Sequence, residues 1–170
     1  MKKSLMEEAI QYAERGWFVF PCRPIASKPF LTAKGKEKIL PPKSPIYKGG
    51  FKNATTDKKQ IEEWWKRTPN AAIGVSCGAS NLIVVDIDVH GGNRSGFDNW
   101  MNLKVSDEGA FHSITPSGGL HIIFKGLTNS YANVKSNIDI RSKGAYILLP
   151  PSFIYDENGN KKYYTKIDEK

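Results

Sequence analysis

Apolar positions along this chain switch between a helical and a strand period, and the switches mark out its elements. Leu5, Ala9, Ile10 and Ala13 recur at helical spacing, which predicts a helix over 3–15 with Gly16 as its C-terminal stop. A second stripe, Ile61, Trp64 and Trp65, follows Asp57 as N-cap with Gln60 three residues on, and Pro69 closes it. Phe97, Trp100 and Met101 predict a short helix after the Gly91-Gly92 turn. Short apolar runs at 17–22, 72–76 and 82–88 read as strands. Residues 111–115 and 120–125 read as a hairpin around Pro116-Ser117-Gly118-Gly119. A further strand pair is predicted for 138–141 and 145–149, turning at Lys143-Gly144, with an edge strand over 162–165. Between residues 23 and 50, Pro, Lys and Gly erase all periodicity, so this stretch is expected to be largely loop. The resulting class is α+β, a mainly antiparallel sheet with flanking helices.

Composition narrows this picture. A chain of 170 residues is long enough for one well-buried core. No run of 18 apolar residues exists, so no membrane span is expected. Met1-Lys2-Lys3-Ser4 leads into a pattern holding Glu7, Glu8 and Glu14, which is no secretory signal. Cys22 and Cys77 lack metal-ligand spacing and read as free thiols of a cytoplasmic protein. The net charge is +8, and residues 23–52 hold eight Lys/Arg against one acid, Glu37. Positive charge so concentrated points to a polyanion partner, or else to a solvated lysine-rich loop that keeps the protein soluble.

The candidate chemistry centres on Asp86 and Asp88, at the end of the apolar run 82–85. Residues two apart on a strand share a face, so both carboxylates project together from its tip. Paired acids repel unless a cation lies between them, and hard oxygen ligands suit Mg²⁺ or Mn²⁺. The plainer alternative has one acid capping a turn and the other paired with a lysine. Ser117-Gly118-Gly119-Leu120-His121 offers turn N–H groups and an imidazole to a phosphate, or is an ordinary hairpin. Asp139 and Arg141 share a strand face, as metal ligand and triphosphate binder or as a short-range ion pair. Lys43-Ser44-Pro45 lies in the basic loop, within reach of phosphates. Residues 91–96 match neither the P-loop nor the dinucleotide fingerprint and read as a turn. Trp64 and Trp65 read as core, not as a base-stacking platform, and His90 and His112 are given no role.

Taken in order, these pieces resemble the bifunctional DNA primase/polymerase (prim-pol) domain of the archaeo-eukaryotic primase superfamily, from Glu8 to Tyr164. The resemblance rests on the stretch 13–21, on Lys43-Ser44-Pro45, on 50–57 with Trp64-Trp65, and on 72–78 leading to Val85-Asp86-Ile87-Asp88. Thr115 to Phe124 and Ile138 to Ser152 match the second and third motifs. It implies a single domain over 1–170: a smaller N-terminal α/β module (about 1–80, with the basic loop 23–52) and an RRM-like catalytic antiparallel sheet (81–170). It further implies that Asp86, Asp88 and Asp139 hold two divalent ions, Mg²⁺ or Mn²⁺. His121 and Arg141, with the turn Ser117, Gly118 and Gly119, would take the triphosphate, and Lys43, Lys48 and Lys52 the nucleic acid.

The implied activity is template-directed nucleotidyl transfer from a (d)NTP to a 3′-hydroxyl in plasmid, phage or mobile-element replication. DNA template and primer would be its partners, with a C-terminal helical accessory or helicase region beyond this chain. Two departures stand out. Gly119-Leu120-His121 replaces the wider superfamily's Ser-x-His, and two distant cysteines supply no zinc site. Two other readings fit the same residues: a non-catalytic single-strand-binding module using 23–52, and a metal-dependent nuclease.

Overall fold

The computed structural model describes residues 3–167. Helix α1 (Leu5–Glu14) starts at Ser4, whose hydroxyl accepts from the Glu7 N–H while the Glu7 carboxylate accepts from the Ser4 N–H, a reciprocal capping box. It ends at Gly16, whose φ of +82° favours glycine. Helix α2 (Lys58–Arg67) is capped as expected, with Asp57 Oδ1 accepting from the N–H groups of Lys59 and Gln60 at 2.8 and 3.1 Å. Ile61 and Trp65 anchor it in the core, and the indole N–H of Trp65 donates to the Ala71 carbonyl. Burial of each such side chain stabilises by about 2–3 kcal/mol. Helix α3 (Ser95–Leu103) follows the Gly91-Gly92 turn.

Strands β1 (Val19–Cys22), β4 (Ala72–Ser76) and β10 (Tyr146–Leu149) form a small antiparallel sheet in the order β1-β4-β10. The large sheet has six strands, ordered β13-β6-β7-β5-β9-β8 and antiparallel throughout. Its members are β5 (Leu82–Ile87), β6 (Phe111–Ile114), β7 (Leu120–Lys125), β8 (Tyr131–Lys135), β9 (Ile138–Arg141) and β13 (Thr165–Lys166). Two hairpins complete the fold: β2 (Phe30–Leu31) with β3 (Glu37–Lys38), and β11 (Phe153–Tyr155) with β12 (Lys161–Tyr163). Strand β5 is central and buried on both faces. Leu82 and Val84 pack into a core shared with α1, α2 and the small sheet. Val85 and Ile87 pack on the opposite side, where Phe97 and Trp100 of α3 cover them. This explains why its sequence is continuously apolar instead of alternating. Cys22 and Cys77 are buried free thiols, and burial pushes Cys77 up to about 12.

Strand pairing corrects one expectation. Residues 138–141 and 145–149 do not pair with each other. Strand β9 lies between β5 and β8, whereas β10 crosses to the small sheet, with Tyr146 opposite Ser76 and Leu149 opposite Ile73. Gly144 does make a turn, at φ +73°, but the turn redirects the chain between sheets. The physical reason is burial: Ile147, Leu148 and Leu149 are all buried, on both faces of the strand. Strand β8 takes the place beside β9 instead. All five of its residues are exposed, so no apolar signal announced it. The expected edge strand over 162–165 divides into β12 and β13, and within 23–50 the only strands are the two-residue β2 and β3. No helix among the described residues is long and apolar enough to cross a membrane.

Candidate active site

Register across the large sheet sets the site. Asp86 on β5 lies directly opposite His121 on β7 and Asp139 on β9, and His121 in turn lies opposite Ser113 on β6. Residues paired this way share a sheet face, so four strands deliver Ser113, His121, Asp86 and Asp139 as one row. Along β5 the same face reads Leu82, Val84, Asp86 and then Asp88 beyond the strand end. The core ends where the acids begin. Asp86 and His121 of this row, with Asp88 and Arg141, line a cleft of about 410 Å³ whose other walls include Tyr146 and Leu148 of β10, Tyr164 and Lys43.

One oxygen from each of Asp86, Asp88 and Asp139 lies within 4.8 Å of the others. Arg141 bridges two of them, its Nε donating to Asp86 Oδ2 and its Nη2 to Asp139 Oδ2, both at 2.8 Å. The second oxygen of Asp139 accepts from the Asn133 N–H at 2.7 Å, which fixes the carboxylate's orientation. His121 Nε2 is 3.3 Å from Asp86 Oδ1, and its buried Nδ1 has no hydrogen-bond partner among the described residues. His90 Nε2 stands 3.9 Å from Asp88 Oδ2.

Charge is distributed unequally over these acids. Burial drives the Asp86 carboxyl up, but the hydrogen bond and field of His121 and the guanidinium of Arg141 outweigh it and hold the group below its ordinary value. Asp88 moves the other way, raised first by burial and then by the negative charge of Asp86, with His90 and Arg141 only partly offsetting this. Burial opposes the charge on Arg141, yet Asp86 and Asp139 more than compensate and hold it protonated. Three carboxylates therefore share a single guanidinium. An all-oxygen, acid-rich donor set short of positive charge fits a hard divalent cation such as Mg²⁺ or Mn²⁺.

The remaining expected residues separate. Ser117 lines the cleft together with Thr115, their hydroxyls 3.1 Å apart. Gly118 turns the hairpin at φ +84°. Gly119 packs against the Ile87 carbonyl so closely that a Cβ there would collide with it. Lys43 lines the same cleft, in a left-handed conformation (φ +73°) costing about 1 kcal/mol, its carbonyl accepting from the Tyr146 hydroxyl at 3.3 Å. Lys48 belongs to a second cleft, and exposed Lys52 lines neither. Tyr146 and Tyr164 were missed. Tyr164 is buried with its ring 6.1 Å from His121, and burial, then Asp86, push its hydroxyl up, so it stays a neutral phenol. No periodic signal distinguished these two among seven tyrosines.

The chain matches no curated protein. A family model described as "Bifunctional DNA primase/polymerase, N-terminal" matches residues 9–169. With nearly every residue inside that match, the chain belongs to the Prim-Pol family of bifunctional DNA primase/polymerase N-terminal domains.

Proposed function

We propose that this domain catalyses metal-dependent, template-directed transfer of a nucleotide from a (d)NTP to a nucleic-acid 3′-hydroxyl. Family membership implies primase/polymerase-type nucleotidyl transfer in general. The finer reading is supported by the cross-strand row of Asp139, Asp86 and His121, and by the closeness of the Asp86, Asp88 and Asp139 carboxylates, an oxygen of each lying within 4.8 Å of the others. In this reading Asp86, Asp88 and Asp139 hold Mg²⁺ or Mn²⁺. The chemistry that such ions supply is a lowered pKa for the attacking hydroxyl and neutralisation of charge on the leaving pyrophosphate.

The chain's own groups bind and position. Arg141, whose Nε and Nη2 are held by Asp86 and Asp139, has its remaining guanidinium N–H groups for phosphate oxygens, and the two carboxylates fix its orientation. His121 and the hydroxyls of Thr115 and Ser117 border the space a triphosphate would fill, and Lys43, lining the same cleft, adds positive charge. Because these groups stand mostly on sheet strands and a short hairpin, little reorganisation is required during the reaction. The setting we infer is replication of a plasmid, phage or mobile element in the cytoplasm, on a primed DNA template and with a C-terminal helical or helicase region.

Labelled primer-template mixed with Mn²⁺ and dNTPs tests this directly. Stepwise primer extension is expected, and Asp86→Ala or Asp139→Ala should lower it at least a hundredfold with the fold retained. Undiminished extension by Asp86→Ala refutes the assignment. Primer shortening would identify a nuclease, and bare retention of the strand a binding module.

A further inference from the structure

A second cleft lies outside the catalytic row. It measures about 670 Å³ and lies where β1, the segment 47–53 and helix α2 meet. Tyr47 and Trp64 form one wall, their rings 6.1 Å apart and inclined by 19° in an offset stack. Both are only partly buried, unlike neighbouring Trp65, which is 2% exposed. Trp65 is wholly in the core, whereas Trp64 packs against the core with one part and lines the cleft with another. Lys48 and Arg67 line the same cleft. Asp57 also lines it, but one of its oxygens is engaged by the first turn of α2.

Charge and continuity narrow the ligand. Residues 23–67 contain twelve Lys/Arg and four acids, so the chain's whole net charge of +8 resides in the segment that builds this cleft. Aromatic packing through the core connects the two clefts. Phe20 lines the second cleft and packs edge-on against Tyr146 at 5.3 Å, and Phe51 stacks on the same ring at 5.9 Å. Tyr146 lines the catalytic cleft. Stacking surfaces flanked by cations are the hardware of single-strand binding, because every base offers a π-face and every nucleotide a phosphate.

We propose that this cleft is a single-stranded nucleic-acid subsite, where a base extends the Tyr47–Trp64 stack while Lys48 and Arg67 hold the adjoining phosphates. Naming that strand as the template rests on the nucleotidyl-transfer reading. The binding itself does not. The test is fluorescence anisotropy of a labelled oligo-dT in EDTA, with wild type, Trp64→Ala, Trp64→Phe, Tyr47→Ala and an exposed control, Lys162→Ala. Trp64→Ala should weaken binding roughly tenfold, the loss of one base–aromatic stack, while Trp64→Phe and Lys162→Ala stay near wild type. As a check needing no variant, photo-crosslinking of a 5-iodouracil oligonucleotide to wild-type protein should label peptides within 47–67. Unchanged affinity in both Trp64→Ala and Tyr47→Ala overturns the proposal, as do crosslinks confined elsewhere or equal competition by polyglutamate. Crosslinks at 47–67 without any primer extension would sink the catalytic reading and leave this one standing. Normal extension by wild type together with unchanged binding by both Trp64→Ala and Tyr47→Ala would do the reverse.

Discussion

Asp88 and Asp86 stand two residues apart on one face and are driven in opposite directions: at Asp86 burial is outweighed by the hydrogen bond and field of His121, then by Arg141, whereas at Asp88 burial and the charge of Asp86 outweigh His90, 3.9 Å away, and Arg141. A carboxyl whose value is raised on folding binds its proton more tightly in the native state. Its ionised form therefore weakens the fold at neutral pH, and the penalty vanishes as pH falls below the unfolded value. Asp88→Asn is thus expected to raise the melting temperature slightly at pH 7 in EDTA, to lose that advantage near pH 3, and to abolish primer extension. A lower melting temperature at pH 7 would contradict this account. The sequence made the paired acids legible because strand period alone puts 86 and 88 on one face. It could not make the Arg141 bridge legible, since Asp86 and Arg141 are 55 residues apart and meet only through the β5–β9 pairing.

Among the elements, β4 shows how packing in the small sheet reaches the site. Gly74 lies between Phe20 and Leu148 in the register, and a Cβ there would meet Cys22 Sγ at 2.7 Å and the Phe20 ring at 2.8 Å. Glycine within a strand commonly marks such a close approach. Gly74→Ala is expected to cost about 1–3 kcal/mol, read by urea denaturation, because neither contact can yield without moving a buried side chain. A neutral result would mean that Phe20 has room to shift, and with it the wall formed by Tyr146. The helices were readable from local sequence, since capping residues and a helical stripe are contained within one element, as Asp57 with Ile61 and Trp65 illustrates. Strand partners were not. Lys143-Gly144 is as good a hairpin turn as Pro116 to Gly119, yet one joins neighbouring strands and the other parts them, a choice made by distant burial.

For the molecule as a whole, the two sheets are interleaved in the chain. Strands β9 and β10 are separated by the four residues 142–145, yet β9 carries Asp139 and Arg141 in the large sheet while β10 closes the small one. Cutting the polypeptide between Ser80 and Asn81 would strip β10 from β4 and leave residues 81–170 with an orphaned apolar strand. Separately produced 1–80 and 81–170 are expected to lack cooperative melting, and co-refolding should restore both melting and primer extension. Independent cooperative unfolding of 1–80 would refute this. A fold stitched in this way resists being shuffled: its first 80 residues cannot be traded for another set by joining genes at that point, and recombination between relatives would have to exchange both sheets together.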